Sequence, residues 1–314
     1  MSTPSFTLAR TGDKIPAIAF GSGTKHQKKK KGDPVLKDSV DESLVDIIKF
    51  ALTEGKFTHL DTAEVYTTRI EVGKAIAESG VPRSKLWITD KWNQGWGGKY
   101  RSTTPSGPYE SLVKGLELMK IEYVDLFLIH APFFGKDTTD VTVEEAWRQM
   151  ERLVDEGKAR NIGVSNFDVP VLEKILAVCK YKPQVNQIEY NPYLQEQSPG
   201  IVDFCKRNEI LVEAFSPLTP IVPTKVTEGP LDPVLKELET KYGVSNTLLL
   251  LRWVYQTGVL PITTSTNKER LKDIMKVWEF ELEPSDVERI SAAGKKFHYR
   301  GFFEDYFDKY DKVK

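Results

Sequence analysis

Eight short apolar runs recur along this chain, at 17–20, 57–60, 86–89, 124–129, 159–164, 184–188, 211–215 and 259–262. Runs of this length, bounded by turn residues, read as strands buried on both faces. The intervals between them carry helical spacing. After a charged start at Asp41-Glu42, Leu44, Ile47, Ile48, Ala51 and Leu52 share one helix face. Ala146, Trp147, Met150, Leu153 and Val154 do the same before Gly157, a helix stop. Further helices are predicted over 170–178, 201–207, 232–242 and 246–255. Strand and helix signals in strict alternation predict an α/β chain folded as a closed, parallel (β/α)8 TIM barrel. An open doubly wound sheet would need a glycine fingerprint after an early strand. Gly21-Ser22-Gly23 lacks the third glycine and runs into a basic segment, and Gly95-Trp96-Gly97-Gly98 comes too late and is too short. Two segments stand outside the repeat. An N-terminal β-hairpin of 6–8 and 14–15, turned by Arg10-Thr11-Gly12-Asp13, is placed to plug the bottom of the barrel. A C-terminal tail, 295–314, is aromatic and charged and is expected to wrap over the barrel or fray. With no linker rich in Gly, Ser or Pro, residues 1–314 are read as a single barrel domain.

A chain of 314 residues that is 40% hydrophobic can bury such a core, and its net charge of -1 gives no electrostatic reason to bind nucleic acid or an anionic membrane. No basic segment followed by an apolar core opens the chain, and no apolar run approaches the roughly 20 residues that cross a bilayer. Cys179 and Cys205 have neither metal-type nor C-x-x-C spacing, so reduced thiols and no metal site are expected. The expectation is a soluble, cytoplasmic protein acting on a small molecule.

Three of the apolar runs end on residues able to do proton chemistry: Asp61 after F-T-H-L, Lys91 after L-W-I-T-D, and His130 after Y-V-D-L-F-L-I. Strand ends of this kind are what a parallel barrel offers at its catalytic face. Tyr66 follows Asp61 by five residues, in the loop or first turn after that strand. A free phenol, with a pKa of about 10, is a reluctant acid near neutrality. A neighbouring ammonium stabilises the phenolate, and a carboxylate holds the ammonium in place. Tyr66, Lys91 and Asp61 are the residue types for that task, and His130 can orient a substrate oxygen. Taken singly, Asp61 reads equally well as a turn cap, Lys91 as a surface charge and His130 as a core residue. Their joint placement at adjacent strand ends favours an active site.

Several longer stretches add to this: L-D-T-A-E-V-Y (60–66), Y-V-D-L-F-L-I-H-A-P (123–132), G-K-A-R-N-I-G-V-S-N-F (157–167), P-Q-V-N-Q-I-E-Y-N-P (183–192) and F-S-P-L (215–218). In this order they resemble the aldo-keto reductase family over about residues 6–289. The resemblance implies a (β/α)8 barrel and NADPH-dependent reduction of a carbonyl. It makes Tyr66 the proton donor, Lys91 its pKa-lowering partner, Asp61 the carboxylate paired with Lys91, and His130 the residue that orients the carbonyl. It also places Ser165, Asn166 and Gln187 on the nicotinamide carboxamide; the residues alone read Ser165-Asn166 as an N-cap pair before the helix at 168–178, a role compatible with the first. Phe215, where members commonly have Tyr, keeps an aromatic face for stacking. Ser216 and Leu218 of that motif, and Gly23, Thr24 and Lys25 after the first strand, complete the cofactor cradle. The adenosine 2′-phosphate falls to 261–270, where Ser265 and Arg270 match the family pattern, Thr264 replaces a frequent Lys, and Lys268 is close enough to substitute.

Three departures bear on substrate. His130-Ala131-Pro132 replaces a frequent His-Trp-Pro and so widens the pocket at Ala131. Lys25 stands in place of an aromatic, and the polar insert 26–33 follows it. The insert reads as a mobile solvated loop, or more sharply as a basic flap over the cofactor phosphates. Trp92 and Trp96 are expected to form pocket walls. The pattern is most similar to fungal conjugated polyketone reductases, which act on cyclic diketones and ketopantoyl lactone. Two alternatives are a general aldose or xylose reductase and, in another class, a cofactor-binding subunit of the potassium-channel type.

Overall fold

The computed structural model describes residues 3–33 and 39–311. Strands β1 (Ser5–Thr7) and β2 (Lys14–Pro16) form the antiparallel hairpin. Then follow β3 (Ala19–Gly21), α1 (Lys25–Gly32), α2 (Glu42–Thr53), β4 (His59–Asp61), α3 (Arg69–Ser79) and β5 (Trp87–Trp92). A small hairpin of β6 (Gly95–Trp96) and β7 (Tyr100–Arg101) precedes α4 (Pro108–Met119), β8 (Val124–Ile129), α5 (Val143–Asp155) and β9 (Ala159–Ser165). The second half continues with α6 (Val169–Leu176), β10 (Val185–Glu189), α7 (Ile201–Arg207), β11 (Leu211–Phe215), α8 (Asp232–Tyr242) and α9 (Asn246–Gln256). It ends with β12 (Leu260–Thr263), α10 (Lys268–Ile274), α11 (Pro284–Gly294) and α12 (Glu304–Asp311). The strands β3, β4, β5, β8, β9, β10, β11 and β12 close in chain order into one parallel barrel. It is an α/β fold of the (β/α)8 type.

Alternation along the strands divides the core in two. Leu60, Ile88, Phe127, Ile129, Ile162, Val164, Ile188 and Ala214 face outward and pack with the helices in one large apolar layer. Trp87, Leu126, Leu128, Val185, Leu260 and Ile262 point inward, where Leu8 and Ile15 of the hairpin join them. Trp87, Val185 and Leu260 begin their strands, so the hairpin does plug the bottom of the barrel. Gly163 admits no side chain because a Cβ there would come within 2.6 Å of the Val185 carbonyl oxygen.

Helix boundaries follow local chemistry. The Asp41 carboxylate accepts from the Ser43 backbone N–H to start α2, and a Thr142–Glu145 capping box starts α5. The polar insert is not a mobile loop. Residues 25–32 are helical, His26 and Lys30 are buried, and the Lys30 ammonium pairs with the Glu71 carboxylate of α3. The tail, up to residue 311, lies across the barrel rather than fraying; residues 312–314 fall outside the described part. Among the described residues no helix is long and apolar enough to cross a membrane.

Candidate active site

At the C-terminal ends of the strands the inward-facing residues turn polar. Asp61 closes β4, Lys91 stands near the end of β5, Gln187 and Glu189 lie on β10, and Glu213 on β11. All five are buried. The Lys91 ammonium donates to Asp61 Oδ1 at 2.6 Å and to the Thr62 carbonyl at 3.0 Å. It lies 5.2 Å from the centre of the Tyr66 ring. That ring meets His130 edge to face, with centroids 5.6 Å apart. Asp61, Tyr66, Lys91 and His130 are therefore brought together.

Tyr66 sits on a single 3-10 turn, Glu64–Tyr66. The Glu64 carboxylate holds that turn in place. Its Oε2 accepts from the Asn93 backbone N–H at 3.0 Å and from Ser111 Oγ at 2.8 Å, and its Oε1 accepts from Thr104 Oγ1 at 2.9 Å. Gly23 presses on the other side, where a Cβ would stand 2.8 Å from the Tyr66 ring.

The protonation states follow from burial and charge. Burial, then Lys91, hold the His130 imidazole well below its ordinary value, so it is neutral at pH 7. For Lys91 burial opposes the charge, but Asp61 and Tyr66 outweigh it and the ammonium is held above its ordinary value. Tyr66 departs from the sequence expectation. Lys91 does pull its pKa down, but burial is the larger effect and Asp61 adds to it, so the phenol ends above its ordinary value of 10.0. It is held firmly in the acid form.

The residues assigned to the carboxamide are already linked to one another. Ser165 Oγ donates to the Gln187 carbonyl at 2.8 Å, and Asn166 Nδ2 donates to the His130 carbonyl at 2.9 Å. Ser165-Asn166 does not cap the next helix; Asp168 does, its Oδ1 accepting from the Val171 N–H. The two hydrogens of Gln187 Nε2 go to Asp61 Oδ2 at 3.0 Å and Glu213 Oε2 at 2.8 Å. Of the Gln187 amide, the oxygen is thus left for a ligand.

Thr24, Asn166 and Ser216, each just beyond a barrel strand, have φ of 53°, 62° and 55°. Left-handed backbone at non-glycine residues is strained, and here three such residues gather at one face. Lys25 is exposed at the start of α1, and Phe215 and Leu218 are half-buried. In the stretch that sequence assigns to the adenosine 2′-phosphate, Thr264 Oγ1 is buried and lacks a partner among the described residues. Ser265 Oγ accepts from the Asn267 N–H at 3.0 Å. The Arg270 side chain is exposed, with no hydrogen bond or ion pair to any described residue. An orphaned hydroxyl, a free guanidinium and an open amide oxygen fit a phosphorylated nicotinamide nucleotide. Lys268 lies over the Phe50 ring at 5.3 Å.

Trp92 is not a pocket wall. Lys91 faces inward, so its neighbour faces the helices; Trp92 is fully buried and donates from Nε1 to the Thr104 carbonyl at 3.1 Å. Trp96, in the hairpin after β5, packs its ring at a tilt on Phe133 at 5.2 Å and on Phe303 of the tail at 4.9 Å. Ala131 is buried, and its N–H donates to Gln94 Oε1 at 3.2 Å.

Sequence reasoning passed over Glu64, Glu189 and Glu213. The signal for the last was a lone acid inside the apolar run L-V-E-A-F. Glu189 accepts from the Gly301 and Phe302 backbone N–H groups, at 3.0 and 3.1 Å, and so fastens the tail.

The aldo/keto reductase family model matches residues 17–295. The chain belongs to this family. It is 41% identical over 310 residues to an NADPH-dependent alpha-keto amide reductase of Saccharomyces cerevisiae, covering 98% of this chain and 96% of that one. It is 38% identical to an NAD/NADP-dependent indole-3-acetaldehyde reductase of Schizosaccharomyces pombe, covering 95% and 98%. Among solved structures, an aldo-keto reductase of the silkworm Bombyx mori in complex with NADP matches at TM-score 0.81 and 30% identity, covering 98% of each chain. This aldo-keto reductase is thus an NADPH-dependent oxidoreductase that reduces carbonyls.

Proposed function

We propose that this enzyme reduces ketones activated by an adjacent carbonyl, such as cyclic diketones, conjugated polyketones and ketopantoyl lactone. NADPH supplies the hydride. Tyr66 gives its proton to the carbonyl oxygen as that oxygen gains charge, and it is replenished from solvent. Lys91, held by Asp61, stabilises the phenolate left behind. The neutral His130 imidazole donates a hydrogen bond to the same oxygen and fixes the carbonyl beside Tyr66. Arg270, Ser265, Thr264 and Lys268 take the 2′-phosphate, and Gln187, Asn166 and Ser165 take the carboxamide. Phe215 offers the ring its face, with Ser216, Leu218, Gly23, Thr24 and Lys25 lining the cradle.

The substrate class rests on one observation above all. A small residue, Ala131, follows His130, and Trp96 after β5, Phe133 after β8 and Phe303 of the tail form an aromatic cluster, Trp96 tilted on both phenyl rings and those two edge to face. A short side chain beside His130 and a cluster of aromatic rings suit a rigid, ring-shaped diketone better than a slim polyol. The keto amide named for the budding-yeast relative carries the same motif of adjacent carbonyls.

The test is NADPH consumption, followed by absorbance, with a cyclic diketone, ketopantoyl lactone, an α-keto amide and an aldose. Specificity constants at least tenfold higher for the activated ketones are expected. An aldose used equally well would return the enzyme to the aldose reductase reading. Failure to turn over any of these compounds while still binding NADPH would place the substrate outside both classes.

A further inference from the structure

Strand alternation turns Glu213 into the barrel between Leu211 and Phe215, where its side chain is fully buried. Gln187 joins it to the site: one Nε2 hydrogen goes to Glu213 Oε2 at 2.8 Å, the other to Asp61 Oδ2 at 3.0 Å. The far oxygen of Asp61 holds Lys91 at 2.6 Å. Glu213 Oε1 is buried with no partner among the described residues. One ammonium therefore serves two carboxyl groups in a dry interior.

The charged and titratable groups facing Glu213 are few. β4 contributes Asp61 and, below it, His59, which burial pushes down to about 3 and keeps neutral. β5 contributes Lys91, and His130 beyond β8 is neutral as well. β10, paired with β11, contributes Glu189, two residues beyond Gln187, and burial pushes the Glu189 carboxyl up to about 7. The inward residues of β12, Leu260 and Ile262, are apolar. With Lys91 charged and Asp61 ionised the interior is balanced, and a second carboxylate there has no counter-ion. Burial first, then Asp61, push the Glu213 carboxyl up to about 8, against the Gln187 hydrogen bond and Lys91.

We propose that Glu213 is a positioning residue for the proton-donating site: through Gln187 it holds Asp61 against Lys91, and its ionisation extends the pH range over which Tyr66 stays protonated. The inference rests on Tyr66 being the donor. As a neutral acid near pH 7, Glu213 accepts one amide hydrogen and leaves the Gln187 oxygen turned toward the ligand. As pH rises it ionises before Tyr66 does. The new negative charge disfavours phenolate formation, so Tyr66 keeps its proton to higher pH than it would beside a neutral group.

Glu213→Gln keeps the shape and the acceptor but cannot ionise. Turnover of the NADPH-loaded enzyme is measured against pH, each variant scaled to its own plateau, with deuterated NADPH confirming that chemistry limits the rate. The midpoint of the high-pH decline is expected to fall by about one unit in the variant, the order a unit charge exerts across one side chain in a protein interior. Glu213→Leu, apolar and suited to a dry barrel, is expected to show the same shift together with a lower plateau, because Gln187 loses its acceptor. Independently of turnover, the infrared absorption of protonated carboxylic acid at pH 7 is expected to be stronger in the wild type than in Glu213→Gln by one carboxyl group, the remainder including Glu189, which burial pushes up to about 7. Coincident pH profiles, or equal carboxylic-acid bands in the wild type and Glu213→Gln, would overturn the proposal. If Tyr66→Phe retains full turnover while the band difference persists, the donor reading has failed and the protonation of Glu213 has not.

Discussion

Tyr66 stands between an ammonium that favours its anion and a carboxylate that opposes it, in a site whose burial also favours the neutral phenol. Such a phenol gives up its proton only when the acceptor becomes strongly basic, which is the state of a carbonyl oxygen as hydride arrives. Its hydroxyl should therefore matter in the rate of chemistry and hardly at all in cofactor binding. Tyr66→Phe is expected to lower kcat by about 10²–10⁴-fold, the usual worth of a general acid. NADPH affinity, measured by quenching of protein fluorescence, should stay nearly unchanged; near wild-type single-turnover rates would remove Tyr66 from the role. Arg270 is proposed for the other end of the cofactor. Its guanidinium is exposed and free of protein partners, so nothing in the fold depends on it. A charge-assisted hydrogen bond is worth roughly 1.5–3 kcal/mol, so Arg270→Ala should weaken NADPH by an order of magnitude or more. NADH lacks the phosphate and should be affected little. Equal losses for both, read by titration calorimetry, would mean that Arg270 stacks on the adenine instead.

The insert helix α1 is an element held from outside itself. Its lysine-rich sequence has no apolar face, and what fixes it is the buried Lys30–Glu71 pair, whose partners lie 41 residues apart. The Asp41 backbone N–H also donates to Glu71 Oε1, at 3.0 Å. Removing the cation strands a buried carboxylate, so Lys30→Met is expected to destabilise the fold by about 3–5 kcal/mol in urea unfolding. Lys29 pairs with Asp41 from a half-exposed position, and the buried Asp41 carboxylate keeps its bonds from the Ser43 N–H and hydroxyl, so Lys29→Ala should cost clearly less than Lys30→Met. Equal effects would show that α1 adds nothing through its buried side. The same distinction explains what could be read from the sequence. The eight strands were legible because each is a short apolar run between breakers, and those at 124–129 and 211–215 agree to the residue. Helices with an apolar stripe or a cap, such as α2 and α5, were legible for the same local reasons. The helix α1 was not, because its order comes from a partner on α3. Asp61, Tyr66, Lys91 and His130 could be picked out by type and by position at strand ends. Trp92 was misassigned although the period of two already turned it away from Lys91. Glu213 had only its isolation to mark it, and its link to Asp61 needs the barrel closed.

At the scale of the whole molecule, one end of the barrel is sealed by a hairpin and the other is partly covered by the tail. The tail is fastened by carboxylates that the barrel supplies. Glu189 accepts from the Gly301 and Phe302 backbone. Asp168 accepts through Oδ2 from Lys309 Nζ at 3.0 Å and Tyr310 OH at 2.8 Å, while its Oδ1 caps α6. Arg300 pairs with Asp311 inside the tail and donates to the Gln197 carbonyl of the barrel at 3.0 Å. These ties hold Phe303 on Trp96 and Phe302 edge-on to Phe215 at 5.4 Å. The aromatic cluster proposed as a pocket wall therefore depends on the tail staying down. Asp168→Asn isolates that dependence, because asparagine caps helices as well as aspartate does. Its amide has a single acceptor oxygen, so it can serve the cap or the tail but not both, and it carries no charge for Lys309. The expected outcome is a barrel with nearly unchanged thermal stability and a tail several-fold more open to limited proteolysis between residues 300 and 311. Substrate KM should rise, most for ring-shaped diketones that lean on Phe303, while kcat at saturation changes less because Tyr66, Lys91 and His130 are untouched. A variant with wild-type protease resistance and KM would show that Asp168 does no more than cap α6, and that Glu189 and Arg300 hold the tail without it.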